Sequence, residues 1–145
     1  MLATRSVTDA ARDLMHAVAR YAIPVACDHD RILFLQGDEP AGVYLLWSGH
    51  AALSMTSIFG KVVLHVNVGP GSILGLPGVV SNMPYSLTAV AESGAEVGFV
   101  SSEYFSAMVY ADPSLSSRVL QLLAAEVQNA RTAISSCHFD GYGIS

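Results

Sequence analysis

The clearest pattern in the chain is the alternation over Lys61–Val68. Val62, Leu64, Val66 and Val68 fall on one face, and Lys61, His65 and Asn67 on the other, which is the period of a β-strand. Shorter apolar segments with strand character are Ile32–Leu35, Val43–Trp47, His50–Met55, Ser86–Ala91 and Glu96–Val100. Turn signals separate them: Gln36-Gly37-Asp38-Glu39-Pro40, Ser48-Gly49, Gly60, Gly69-Pro70-Gly71 and Ser93-Gly94. Short strands punctuated this often predict an all-β roll or barrel.

Helical spacing appears only at the two ends. Thr8–Arg20 carries Ala11, Leu14, Met15 and Val18 on one stripe, with Thr8 as N-cap and Pro24 as the stop. Near the other end, Ser102 can cap a short helix over Glu103–Tyr110. Asp112-Pro113 then opens a longer one, an acidic cap followed by a proline whose missing N–H costs nothing there. That helix is predicted to reach about Ile134, with Leu120, Leu123, Val127, Ala130 and Ile134 at spacings of three and four. Leu115, Val119 and Leu122 widen its apolar face. Such a stripe suits packing on the chain's own roll or pairing with a twin helix, and we expect a homodimer. Ser136–Ser145 shows no period and is expected to be a flexible tail. The predicted organisation is one domain over residues 1–135, with its dimerisation helix at about 113–134, and a tail over 136–145.

The chain of 145 residues is 52% hydrophobic and 13% charged, which excludes a disordered protein and points to apolar surface covered by a subunit or ligand. Its net charge is −5, and from Ile32 to Ser117 the only Lys or Arg is Lys61. This is not the basic surface of a duplex binder, so no DNA contact is expected from this chain. No apolar run approaches the roughly 20 residues that span a bilayer. The start of the chain lacks the pattern of a secretory signal. A cytoplasmic location without membrane association is the expectation. Cys27 and Cys137 make neither a disulfide framework nor a zinc motif.

The order of helix, glycine-punctuated strands, short helix and long amphipathic helix resembles the cyclic-nucleotide-binding domain of the catabolite-activator/FNR type. Local segments resemble it too. Gly37-Asp38 is similar to the family's early turn, and Val43-Tyr44-Leu45-Leu46-Trp47-Ser48-Gly49-His50-Ala51 to its strand ending in a small residue and glycine. Val68-Gly69-Pro70-Gly71-Ser72-Ile73-Leu74-Gly75 is similar to the lead-in to its phosphate-binding cassette, and Ser86–Val100 to the strand pair that follows. Over about residues 8–134, the resemblance implies a mainly β fold, a double-stranded β-helix (a jelly-roll-like β-roll) with an N-terminal helix and a long C-terminal dimerisation helix. It implies a regulatory, ligand-sensing domain of a transcription-regulator-like protein, and not an enzyme.

In family members that bind cyclic nucleotides, the resemblance implies a Gly-Glu-Leu cassette, then a downstream arginine followed by serine or threonine. The glutamate would take the ribose hydroxyl and the arginine the cyclic phosphate. Here Gly75 matches the glycine, Leu76 stands for the glutamate, Pro77 follows, Tyr85 stands for the arginine, and Ser86 matches the hydroxyl residue. Removing an arginine from a half-buried anion costs on the order of 2–5 kcal/mol. The cassette is therefore expected to be degenerate. Three outcomes stay open: Leu76 and Tyr85 fold inward and close the pocket, an apolar or aromatic small molecule binds beside Tyr85 and Ser86, or a nucleotide binds weakly through backbone donors. A stand-alone dimerisation or interaction module with a closed pocket is the rival function.

Other chemistries find less support. His29, His50, His65, Cys27 and Met83 could ligate haem by residue type, but no pair has a telling spacing. Cys137-His138 offers only a weak metal pair. Five scattered histidines do not make the metal cluster of a cupin. There is no nucleophile elbow, P-loop or paired-histidine helix. No cofactor and no metal are expected.

Overall fold

The computed structural model describes residues 7–137, with side chains over 9–125. Helix α1 (Val7–Val18) leads through a short 3-10 turn (Ala19–Tyr21) into strands β1 (Ile23–Val25), β2 (Arg31–Phe34), β3 (Gly42–Ser48), β4 (Ala51–Thr56), β5 (Val62–Val68) and β6 (Ser72–Leu74). Helix α2 (Leu76–Ser81) precedes β7 (Thr88–Ala91) and β8 (Glu96–Ser101). Helices α3 (Ser102–Ala111) and α4 (Pro113–Cys137) complete the described chain. The strands form two four-stranded sheets, ordered β1-β8-β3-β6 and β2-β7-β4-β5. All pairings are antiparallel. This is the predicted β-roll with helices at both ends.

Two cores follow from one strand. On β3, Val43 and Leu45 belong to a cluster with Leu14 and Val18 of α1, Phe105 of α3, and Leu115, Val119 and Leu122 of α4. Leu46, on the opposite face, belongs to a second cluster between the sheets with Leu74, Ala89, Ala91 and Val97, and Tyr44 packs against it. Both faces of β3 are covered, so its sequence is a continuous apolar run and not an alternation. Arg118 Nε donates to Asp13 Oδ2 at 3.1 Å and ties α4 to α1.

The caps follow the sequence with small shifts. The Ser101 hydroxyl, rather than that of Ser102, accepts from the Tyr104 amide at 3.3 Å at the start of α3. Ser102 Oγ instead donates to the Pro40 carbonyl. Asp112 Oδ1 accepts from the Ser114 amide at 2.9 Å and its hydroxyl at 2.8 Å. These bonds favour the ionised carboxylate and hold the Asp112 pKa below its usual value.

Several readings are corrected. Pro24 does not merely end the first helix; it sits in β1, an edge strand, where a missing N–H is tolerated. Strands β1 and β6 and helix α2, each three to six residues long, are too short to show a period and were not anticipated. On β5 the expected apolar face is only part-covered: Leu64 and Val68 are half-buried, whereas Val62 and Val66 stay exposed. Helix α4 runs to Cys137, past the expected end near Ile134. The side chains of Val127, Ala130 and Ile134, the Thr8 cap, and residues 138–145 with His138 lie outside what is described.

Candidate functional site

The cassette is the β6–α2–β7 connection. Gly75 takes φ +87° as the N-cap of α2, a backbone that L side chains rarely adopt. A Cβ there would lie 2.9 Å from Tyr85 Cε1, so glycine is needed for space as well as for conformation. Gly75→Ala is expected to cost about 1–3 kcal/mol in urea denaturation. Gly37→Ala, at φ +95° but facing open space, should cost only the backbone part, about 1–2 kcal/mol.

Leu76 and Tyr85, which the sequence reading aligned with the charged pair, belong to different cores. Tyr85 folds inward, 4% exposed, into the cluster between the sheets. Leu76, 1% exposed, joins the other cluster, beneath the helices. Of the outcomes left open, closure of the pocket by both residues does not hold for Leu76, which anchors α2 to the helical layer.

Tyr85 is held at every polar atom. Its hydroxyl donates to the Gly42 carbonyl at 2.5 Å and accepts from the Gly42 amide at 3.1 Å. Its carbonyl accepts from the Gly37 amide at 2.8 Å, and its amide donates to the Asp38 carbonyl at 2.9 Å. Its ring stacks on Phe34 with centroids 4.0 Å apart. The cassette end is thereby fastened to the Gly37-Asp38 turn and to the start of β3. Burial raises the Tyr85 phenol pKa, against the lowering effect of its backbone bonds. The neutral phenol that makes these contacts is thus the form present at neutral pH.

The remaining cassette residues offer little to an anion. Pro77 has no amide hydrogen to donate. Ser86 is exposed just before β7. The roll's two Lys/Arg side chains lie elsewhere: Arg31 donates to the Ala26 carbonyl, and Lys61 precedes β5. The structure thus brings Gly75 and Tyr85 into contact, sends Leu76 away from them, and leaves Ser86 at the surface. The sequence reading missed Gly42 and Phe34, the partners of Tyr85. Only the fold reveals them, because Gly42 reads as the end of a turn and Phe34 as one more core residue.

Other candidates separate. Among the described residues, no group of three or more His, Cys, Asp or Glu could hold a metal. Cys27 is a free, buried thiol whose pKa is raised by desolvation. No helix of the described residues is long and apolar enough to cross a membrane.

A two-sheet roll flanked by helices, with a glycine-capped turn between β6 and β7, defines the class. A family model described as cyclic nucleotide-binding domain matches residues 25–112, and the chain belongs to that family. No curated protein matches the sequence. Among solved structures, the catabolite activator protein of Thermus thermophilus is similar at 23% identity and a TM-score of 0.74, over 88% of this chain and 60% of that one. The N-terminal domain of a transcriptional regulator from Streptomyces coelicolor A3(2) is similar at 19% identity and 0.64, over 89% and 94%. A cAMP-binding acyltransferase from Mycobacterium smegmatis is similar at 19% and 0.59, over 80% of this chain but 40% of that one. The first three structural relatives are longer; the chain spans 55–60% of their lengths. At these identities the likenesses establish the fold, which is shared by regulators and by at least one enzyme.

Proposed function

We propose that this chain is the regulatory domain of a transcription-regulator-like protein whose cassette no longer grips a cyclic nucleotide. The observation that carries this reading is Tyr85: the residue at the expected phosphate-arginine position is an uncharged part of the core, stacked on Phe34 and bonded twice to Gly42. Gly75, Leu76, Pro77, Tyr85 and Ser86 then form a degenerate cassette. A ligand that bound the folded state at a hundred times its Kd would add about 2.7 kcal/mol of stability. Cyclic AMP and cyclic GMP are expected to leave the melting temperature unchanged; a saturable rise with either would overturn the reading.

The second reading, a dimerisation or interaction module with a closed pocket, is favoured by the burial of Tyr85 between the sheets. Both readings involve a homodimer through Leu120, Leu123, Val127, Ala130 and Ile134. Leu123 packs partly on the chain's own core, while Leu120 stands 67% exposed. Leu120→Glu should therefore leave the monomer fold intact, with melting within a few degrees of the parent, and halve the mass in sedimentation at tens of micromolar. A parent chain that sediments as a monomer would remove the dimer from both readings.

A further inference from the structure

A groove of about 280 Å³ is lined by residues of both sheets, including their edge strands β1 and β2, and by none of the residues 75–86. Ile23 and Val25 of β1, Arg31 and Ile32 of β2, Tyr44 of β3 and Phe99 of β8 line it. Four features make it more than an accident of packing. Ile23 and Ile32 are exposed branched side chains flanking an opening, a placement the core does not explain. Tyr44 and Phe99 are cross-strand partners with ring centroids 5.0 Å apart, giving an aromatic wall. The Tyr44 hydroxyl has no hydrogen-bond partner among the described residues, and burial raises its pKa. Arg31 is the groove's one charged group. It donates Nη1 to the Ala26 carbonyl at 3.3 Å, and no carboxylate among the described residues pairs with it.

The geometry points to this groove as a binding site for a small aromatic carboxylate, its ring against Tyr44 and Phe99 and its carboxylate on the Arg31 guanidinium. The match is chemical. A planar fork of donors with one bond spent suits a carboxylate. A volume near the lower end for ligand pockets suits one or two fused rings. Arg31 is the one charged side chain lining the groove, which favours an anion over a cation there. The site also has a route to the cassette. Tyr44 lies 5.7 Å from Phe34 between ring centroids, and Phe34 stacks on Tyr85.

The test is titration of the full chain with naphthalene-2-carboxylate, followed by amide chemical shifts. At about 0.3 kcal/mol per heavy atom, the efficiency of ordinary drug-sized ligands, a Kd of about 1 mM is expected. Saturable shifts should centre on the amides of residues 23, 25, 26, 31–33, 44 and 99, while those of Val62 and Val66 on β5, the far edge of the second sheet from β2, serve as the remote control. The neutral naphthalene-2-carboxamide and the variant Arg31→Gln should each weaken binding about tenfold or more. Arg31→Lys, which keeps the charge, should retain part of the affinity and guards against a folding defect. No saturable shift to about 10 mM, shifts centred on the cassette, or equal binding of the carboxamide would each overturn the proposal. Binding of cyclic AMP in the separate melting experiment would overturn the cassette reading and leave this one standing.

Discussion

Tyr85→Ala is expected to destabilise the domain by about 3–5 kcal/mol, the range for removing a buried aromatic side chain. The ring is 4% exposed and stacked at 4.0 Å on Phe34, so its loss opens a cavity between the sheets. The loss also removes the hydroxyl that bonds both polar groups of Gly42. Tyr85→Phe separates the two effects. It keeps the stack and should cost about 1–2 kcal/mol, the net worth of buried hydrogen bonds. Urea denaturation of the three proteins measures both numbers. A cost below about 1 kcal/mol for the alanine variant would mean that the site tolerates an empty pocket, and the account of Tyr85 as core would fail.

The second large effect concerns Leu76. Leu76→Glu places an acid where the family resemblance implies one, yet it should destabilise the domain by about 3–5 kcal/mol, as an uncompensated buried charge does. Leu76 is 1% exposed in a cluster with Leu14, Val43 and Phe105, which holds no counter-charge. The introduced carboxyl would have a raised pKa in the folded state. Its neutral form is then the better tolerated one, so the variant's deficit should grow as pH rises from about 5 to about 8. Leu76→Met, similar in volume, should cost less than about 1.5 kcal/mol. Denaturation at the two pH values checks the sign. A Leu76→Glu protein as stable as the parent at both would show that the side chain can turn to a polar site.

Much of the fold was legible because its signals are local. Turn glycines at Gly37, Gly49, Gly60, Gly71 and Gly94 all take positive φ, and they divided the chain into nearly the right strands. Asp112-Pro113 marked the start of α4 to the residue. What escaped was short or non-local. Strand β1 is three residues long and contains a proline, so no period could reveal it. The site was half legible. The sequence singled out Leu76 and Tyr85 through the family resemblance. It could not show that they face different cores, because side-chain direction in the β6–α2–β7 turn depends on the positive φ at Gly75 and the rotation of a six-residue helix. Nor could it pair Tyr85 with Gly42, which is 43 residues away. The groove beside Arg31 was invisible for the same reason: its lining comes from four strands that meet only when the sheets assemble.

The central claim is that the cassette does not hold a cyclic phosphate. Isothermal titration calorimetry of the purified chain with cyclic AMP, then cyclic GMP, tests it most directly. The account predicts no saturable heat with ligand at about 1 mM, where binding would be worth no more than about 4 kcal/mol. A saturable isotherm with a micromolar Kd, weakened by Ser86→Ala, would contradict it and show that hydroxyl and backbone donors hold the phosphate without an arginine.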